Sequence, residues 1–209
     1  MKILKLLLSL TLLPFFAMGQ ANPLNAVSIK AGLKVGANLT SLNGQQWSDG
    51  YKANFLGGVV GSVRFLKFGV QAEALFVQNS YQSGTGIGKL PGMFYNNIAD
   101  SAKQGNFRVS QLSVPVLVML RLPGGVWLQA GPQYNHVLTV NEKKDLIKDP
   151  EKLFKSNDIS GVVGLELIAA KHFAVGARYV FGFSDINNIE GAKDAWKSRA
   201  IQLHVGYLF

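Results

Sequence analysis

The last stretch of the chain constrains its fold more than any other. It reads RAIQLHVGYLF over residues 199–209, and from residue 201 onward every second residue is apolar. Side chains of a β-strand alternate between the two faces of a sheet, so a period of two predicts a strand with one apolar and one polar face. The apolar face consists of Ile201, Leu203, Val205, Tyr207 and Phe209.

The same alternation recurs in seven earlier segments. Together with the last stretch, the predicted strands cover about 29–39, 55–65, 68–76, 107–120, 125–138, 159–169, 173–182 and 199–209. A composition with 23 glycines and 13 phenylalanines also suits many strands better than a helical bundle. We therefore predict an all-β fold, an eight-stranded antiparallel up-and-down transmembrane β-barrel.

The connections between these strands alternate strictly between long and short. The short ones are 66–67, 121–124 and 170–172, and the long ones are 40–53, 80–106, 140–158 and 184–198. Outer-membrane barrels have tight periplasmic turns and long outward loops, whereas a soluble sandwich has no reason to sort its loops in this way. A soluble lipocalin-like barrel with apolar residues inside is the structural alternative, but it does not explain the alternation.

The beginning of the chain predicts export. Lys2 and Lys5 precede an apolar run over 6–16, and small residues follow at 17 and 19. This pattern is typical of a secretory signal peptide over 1–19, cleaved before Gln20, which leaves a barrel domain over 20–209. No later stretch is long and apolar enough for a membrane-spanning helix, so a membrane protein of this sequence must be a closed barrel.

Composition excludes several other classes. The chain has no cysteine, which rules out a disulfide framework, a thiol nucleophile and a lipoprotein anchor. The formal net charge of +9 falls to +7 when Lys2 and Lys5 are removed. The densest charged run, 141–158, carries equal numbers of basic and acidic residues, so nucleic-acid binding is not expected.

Five charged residues lie on the polar faces of the predicted strands. They are Lys34, Arg64, Glu73, Glu166 and Arg178. An eight-stranded barrel is just wide enough for side chains to fill it, so we predict that this lumen charge cluster is a structural filling of paired charges. Glu166 and Arg178 are expected to lie diagonally across one hairpin, within reach of each other. A proton or ion path through the same groups is the alternative.

The three histidines give little support to catalysis. Barrel enzymes that trim lipid A use a Ser-His-Glu arrangement on the lipid-facing surface, and here only His136 lies near the outer rim. No serine or acid stands at a short spacing from it, so we predict that the chain is not an enzyme. A lipid-modifying barrel remains the enzymatic alternative. The glycine pattern GTGIG at 84–88 lies in a loop, and neither a cofactor nor a metal is expected.

Finer features can also be predicted. Interfacial aromatic girdles are expected from Phe65, Phe68, Phe76, Phe173, Phe181, Tyr207 and Phe209. Bulges are expected at Pro115 and Pro132, because proline removes a ladder donor from a sheet. A helical turn is expected near 96–103, and a helix start at Asp149, with Pro150 in its first position.

Several of these segments resemble a known family. GLKVGANLTSL at 32–42, VQAEALF in the third strand, QLSVPVLVML in the fourth, AGPQY at 130–134 and VGARYVFGFSDI at 175–186 are similar to the Bacteroidetes outer-membrane barrels that include PorT-like proteins. The last strand, which ends on Phe209, resembles the closing strand that the barrel-insertion machinery reads. The resemblance implies an eight-stranded barrel of the OmpA and OmpX type in the cell outer membrane. It also implies outer-membrane lipid as the surroundings of the barrel, and extracellular or secretion-system proteins as partners.

Overall fold

The computed structural model describes residues 27–44, 47–48, 50–84, 96–97, 103–169, 172–189 and 195–209. Its strands are β1 Val27–Asn43, β2 Lys52–Phe65, β3 Phe68–Gln82, β4 Asn106–Arg121, β5 Val126–Glu142, β6 Asn157–Ala169, β7 Phe173–Gly182 and β8 Lys197–Leu208. Among these residues, none forms a helix with the length and apolarity that crossing a membrane requires. The predicted signal peptide, most of the GTGIG pattern and most of the predicted turn near 96–103 lie outside the described residues.

The eight strands form one closed antiparallel barrel in sequence order. Closure is made by β1 and β8, which pair from Gly32 opposite Leu208 to Asn43 opposite Lys197. Closure leaves no strand edge unpaired, and this is the condition for placing a sheet in hydrocarbon. The predicted eight-stranded up-and-down fold is therefore confirmed.

The apolar faces of the strands point away from the lumen. On β8, Leu203 and Val205 are 48% and 51% exposed, whereas Gln202 and His204 between them are 2% and 3% exposed. The same alternation runs along the other strands. This orientation excludes the lipocalin-like alternative, which needs apolar residues inside.

Aromatic residues mark the two borders of the apolar belt. Phe55 and Phe65 are exposed on β2, ten positions apart, and Phe173 and Phe183 are exposed along and just beyond β7 at the same spacing. At about 3.3 Å per residue and a tilt of about 40°, ten positions span roughly 25 Å of membrane thickness. Of the predicted girdle residues, Phe65, Phe68, Phe173, Tyr207 and Phe209 are exposed at the short-turn end, while Phe76 is exposed and Phe181 half-buried toward the other end.

Several strands continue beyond the outer border of this belt. β1, β3, β4 and β5 run to Asn43, Gln82, Asn106 and Glu142, so the long connections are shorter than predicted. The register between β4 and β5 shifts by one residue near the outer end. Ser110 pairs with Thr139, whereas the next residue, Gln111, pairs with Val137. The extra residue, Leu138, changes the phase of the strand so that Val140 points inward and is buried.

The bulges predicted at Pro115 and Pro132 are wrong. Pro115 pairs with Gln133 and Val118 pairs with Ala130, which is the same register on both sides of Pro132. Each proline removes one ladder hydrogen bond without inserting a residue, and the strands pass it unshifted. Between β4 and β5 the register shifts only where Leu138 is inserted.

The prediction that an α-helix starts at Asp149 is also wrong. Residues Pro150–Leu153 form a single 3₁₀ turn, and Asp149 makes no side-chain capping bond. Its Oδ2 instead accepts a hydrogen bond from Lys152 Nζ over 2.8 Å. Pro150 does occupy the first position of the turn, where a backbone N–H would have no hydrogen-bond acceptor within the turn.

Candidate functional site: the filled lumen and its outer cap

The five charged residues singled out in the sequence all lie inside the barrel, where each is at most 8% exposed. Lys34 Nζ lies 2.7 Å from Glu73 Oε1 and 3.1 Å from Glu166 Oε2. Arg178 Nη2 lies 2.7 Å from Glu73 Oε2, and Arg64 Nη2 lies 3.9 Å from Glu166 Oε1. The structure thus brings the whole lumen charge cluster together.

The pairing within this cluster differs from the predicted one. Arg178 faces Gly164 and Glu166 faces Gly176, which is the diagonal offset expected across the β6–β7 hairpin. The ion pair of Arg178, however, is made across the lumen with Glu73. Glu166 Oε2 is occupied by Lys34 and by His204 Nε2, which lies 3.1 Å away. The predicted diagonal placement is thus present, whereas the salt bridges of Glu166 and Arg178 are made with other residues.

Glycines make the room that these long side chains occupy. Lys34 has Gly58 opposite it on β2 and Gly206 opposite it on β8. Gly176 stands between Glu166 and His204, and a Cβ placed on it would meet the His204 ring. The Glu166–His204 contact therefore depends on the absence of a side chain between them.

Every member of the charge cluster has an oppositely charged neighbour, although Nε and Nη1 of Arg178 and Nε and Nη2 of Arg64 have no hydrogen-bond partner. Each of its carboxylates contacts two cationic side chains, with His204 as an additional neighbour of Glu166. Removing an ion from water costs several kcal/mol, and only close pairing with further hydrogen bonds offsets this cost. A cluster of this kind fixes strands β1, β2, β3, β6, β7 and β8 to one another through the centre of the barrel.

Toward the short-turn end, the lumen is closed by packed side chains. The guanidinium of Arg64 lies over the Trp127 ring, 5.4 Å from its centroid. Cation–π contacts of this kind are stronger when both partners are shielded from water. Val60, Ala174 and Leu208 form a small apolar cluster in the same half of the barrel.

A second polar tier, made of amide and hydroxyl side chains with one acidic residue, Asp158, lies between the charge cluster and the outer mouth. Asn135 is its centre: its Oδ1 accepts hydrogen bonds from Ser113 and Gln133, and its Nδ2 donates to Asp158 and Ser160. On the opposite wall, Asn38 Nδ2 donates to Asn79 Oδ1 over 2.8 Å, and Gln202 Nε2 donates to Asn38 Oδ1 over 3.2 Å. The tier thus links side chains of β4, β5 and β6 on one wall and of β1, β3 and β8 on the other.

The outer mouth holds a cluster of buried aromatic side chains that the sequence reading did not identify. We call it the aromatic cap, and its rings are Trp47, Tyr81, Phe107, Phe154 and Trp196. Trp47 and Trp196 meet edge to face with centroids 4.9 Å apart, and Trp47 and Phe107 do so at 5.4 Å. Aliphatic residues surround the rings: Leu42, Val109, Val140, Leu146, Ile147, Leu153 and Ile186.

The cap joins the strand extensions to the long connections. Tyr81 and Phe107 come from β3 and β4, whereas Trp47, Phe154 and Trp196 come from three different connections. Isolated backbone bridges attach Trp47 to Ser83 and Phe154 to Asn187. A signal for part of this cap was present, because the inward phase of β3 runs from Glu73 without interruption to Tyr81.

Apart from His204, the histidines contact an amide side chain and a backbone carbonyl. His136 Nδ1 contacts Asn157 Oδ1 at 2.7 Å, and the same oxygen accepts a hydrogen bond from the Tyr134 hydroxyl. His172 Nδ1 contacts the Leu208 carbonyl at 2.8 Å. Within the described part of the chain, no three histidine or acidic side chains are placed to hold a metal ion.

The apolar belt, the aromatic borders and the charged, filled lumen define a class of protein. A closed barrel that is apolar outside and polar inside is an integral membrane barrel of the outer-membrane type.

The chain belongs to the family described as the outer membrane protein beta-barrel domain, which matches residues 18–188, and its place is therefore the outer membrane. No curated protein matches it.

Three solved structures of similar architecture can be compared with this chain. Ail of Yersinia pestis is 16% identical with a TM-score of 0.42, and the match covers 86% of this chain and 98% of that one. OprG of Pseudomonas aeruginosa is 14% identical with a TM-score of 0.49, covering 90% and 99%. Neisserial surface protein A is 10% identical with a TM-score of 0.47, covering 88% and 99%. These likenesses carry no functional argument.

Proposed function

We propose that the protein is a sealed, monomeric platform in the outer membrane that holds four outward connections for binding or shielding. The observation that carries this proposal is the succession of buried side chains along the lumen: the charge cluster, the polar tier and the aromatic cap. Lys34, Gln71, Gln129 and Gln133 are among the largest fully buried side chains of the described residues. A barrel filled in this way supports loops rigidly.

The partners of this platform are extracellular or secretion-system proteins, and its role is accessory to protein secretion, as in PorT-like relatives. The aromatic cap supports this proposal because it fixes the bases of three connections while leaving charged side chains such as Lys143, Lys148 and Glu151 exposed. Preorganised loops bind partners at lower entropic cost than free ones.

The route to the membrane forms part of the same proposal. Residues 1–19 act as a cleaved signal peptide, and the barrel-insertion machinery reads the outward residues of β8, Ile201, Leu203, Val205, Tyr207 and Phe209. The exposure of all five residues on one face supports this reading.

A planar-bilayer recording of the purified full chain tests whether the lumen is closed to ions. We expect no discrete conductance. A narrow channel is the second candidate, and it is favoured by buried polar atoms without a protein partner: both amide atoms of Gln129, and Nε and Nη1 of Arg178. Discrete conductance that changes in Glu73→Gln or Arg178→Met would contradict the platform and support the channel.

Secretion in the native host tests the platform role itself. The gene is deleted, and secreted proteins are compared after complementation with the wild type or with Lys143→Ser/Lys148→Ser/Glu151→Ser, which changes only exposed side chains of one connection and leaves the cap intact. We expect both chains to reach the outer membrane, and only the wild type to restore secretion. Equal restoration by both chains would contradict a role for this connection.

The enzymatic alternative is tested at His136. Its contact with the Asn157 amide supports the proposal that the protein is not an enzyme, because a general base needs an orienting group and a nucleophile within reach. Mass spectrometry of lipid A from cells expressing the wild type or His136→Ala is expected to show identical species. A species lost only in the variant would establish the enzyme.

A further inference from the structure

Among the residues that the structure describes, the short-turn end of the barrel carries basic side chains and no acidic ones. The chain has 12 Asp and Glu residues. Glu73 and Glu166 point into the lumen. The others lie, by their position in the sequence, in the long connections or at the strand ends that lead into them. Lys67 and Arg121, in contrast, are exposed at two neighbouring short turns.

These two turns enclose an open apolar groove on the outside of the barrel. We call it the turn groove, and its lining is Phe65, Leu66, Lys67, Phe68, Arg121, Leu122 and Pro123. The turns form one unit, because Arg121 N donates a hydrogen bond to the Lys67 carbonyl over 2.7 Å. The groove therefore has a fixed apolar floor, with two cationic side chains at its edge.

The tip of the first turn has an unusual backbone. Leu66 has a φ of 53° and is 64% exposed. This left-handed conformation favours glycine or asparagine and is strained for leucine. An apolar side chain held in a strained, exposed position gains stability where acyl chains, and not water, surround it.

The depth of the groove agrees with this environment. Phe65 and Phe68 belong to the aromatic border of the belt, and Lys67 lies between them at the turn. In an outer-membrane barrel the short turns face the periplasm, so this border lies at the headgroup level of the periplasmic leaflet. Cations at this level attract anionic lipids, while apolar residues beside them meet acyl chains.

We propose that the turn groove binds a glycerophospholipid of the periplasmic leaflet with an anionic headgroup. One acyl chain lies along Phe65, Leu66 and Phe68, and the phosphate contacts Lys67 and Arg121. The charge distribution selects the headgroup, because no acidic side chain in the described part of this end competes for the two cations.

Native mass spectrometry of the full chain, purified from outer membranes in mild detergent, tests the site. The probes are phosphatidylglycerol and phosphatidylcholine with identical acyl chains. We expect the wild type to retain phosphatidylglycerol preferentially, and Lys67→Gln/Arg121→Gln to bind it about tenfold more weakly. The matched control is Lys143→Gln/Lys148→Gln, which removes the same charge at the outer end and is expected to bind like the wild type. Equal weakening in both variants, or in neither, would overturn the site.

Two further measurements separate the groove from simple charge attraction. Leu66→Asn relaxes the turn and removes apolar surface, so we expect an intact, heat-modifiable barrel with several-fold weaker lipid retention. Inorganic phosphate and soluble glycerophosphoglycerol are expected not to displace the bound lipid at equal concentration. Unchanged retention in Leu66→Asn, or displacement by either soluble anion, would overturn the role of the apolar floor.

Discussion

Arg178 on β7 donates from Nη2 to Glu73 Oε2 on β3 over 2.7 Å, which joins two walls of the barrel that are not neighbours in the sheet. Lys34 on β1 binds the other oxygen of the same carboxylate. Glu73 therefore shares its one negative charge between two cations that have been removed from water, and its loss would leave Arg178 without an ionic partner. The charge cluster therefore links opposite walls of the barrel, and the stability of the folded barrel depends on single residues of this cluster.

Replacing Glu73 by glutamine is expected to lower the free energy of unfolding by about 3–5 kcal/mol, because it leaves a buried cation uncompensated. Denaturant titration in lipid vesicles, followed by tryptophan fluorescence, measures the change. Glu151→Gln, on an exposed residue of an outer connection, is the control and should change the free energy by less than about 0.5 kcal/mol. A similarly small change for Glu73→Gln would show that the charge cluster does not stabilise the barrel.

Gly176→Ala is expected to cost about 1–3 kcal/mol of stability, because the added methyl group would meet the His204 ring beside Glu166. Gly61→Ala is the matched control, since a Cβ there has no atom within 4 Å. The same titration compares the two variants. If they were equally stable, the packing of the lumen around His204 would be looser than the structure indicates.

The strand count, the orientation of each face and the inward position of the five charged residues could be predicted from the sequence, because all three follow from a period of two. The pairing inside the lumen could not. Whether Arg178 contacts Glu166 or Glu73 depends on distances across the closed barrel. These distances cannot be derived from the spacing of the residues in the sequence. The effect of Pro115 and Pro132 was also mispredicted, because a missing N–H can be tolerated without a change in register.

The aromatic cap shows a different limit of sequence reading. Its residues come from β3, β4 and three connections, and segments that are distant in sequence carry no shared period. Only Tyr81 and Phe107 could have been found, by continuing the inward phase of their strands past the membrane border. Trp47, Phe154 and Trp196 stand in polar stretches, where isolated aromatic residues give no pattern.

Phe154→Ala is expected to open the cap without unfolding the barrel. The ring is 4% exposed and contacts Trp47, Tyr81, Phe107 and Trp196. Loss of a buried phenylalanine ring costs about 3–5 kcal/mol locally, so the outer connections should be cleaved faster by protease while the heat-modifiable band persists. Phe183→Ala removes a ring that is 58% exposed, and its cleavage rate should match the wild type. Equal rates for both variants would contradict a cap that holds the connections.

Leu203→Arg tests the orientation on which the membrane assignment depends. Leu203 pairs with Ala177, midway between the Phe173–Tyr207 pair and the Phe181–Arg199 pair of the same ladder, so it lies near the middle of the belt. An arginine on the lipid face at this depth costs about 2–4 kcal/mol, and falls to nearly nothing at the borders. The matched control is Thr139→Arg, at an exposed position of β5 beyond the outer border. Folding titrations into lipid vesicles should therefore show a large loss for Leu203→Arg and little change for Thr139→Arg. Equal costs at the two positions would mean that the outward face of β8 does not lie in hydrocarbon.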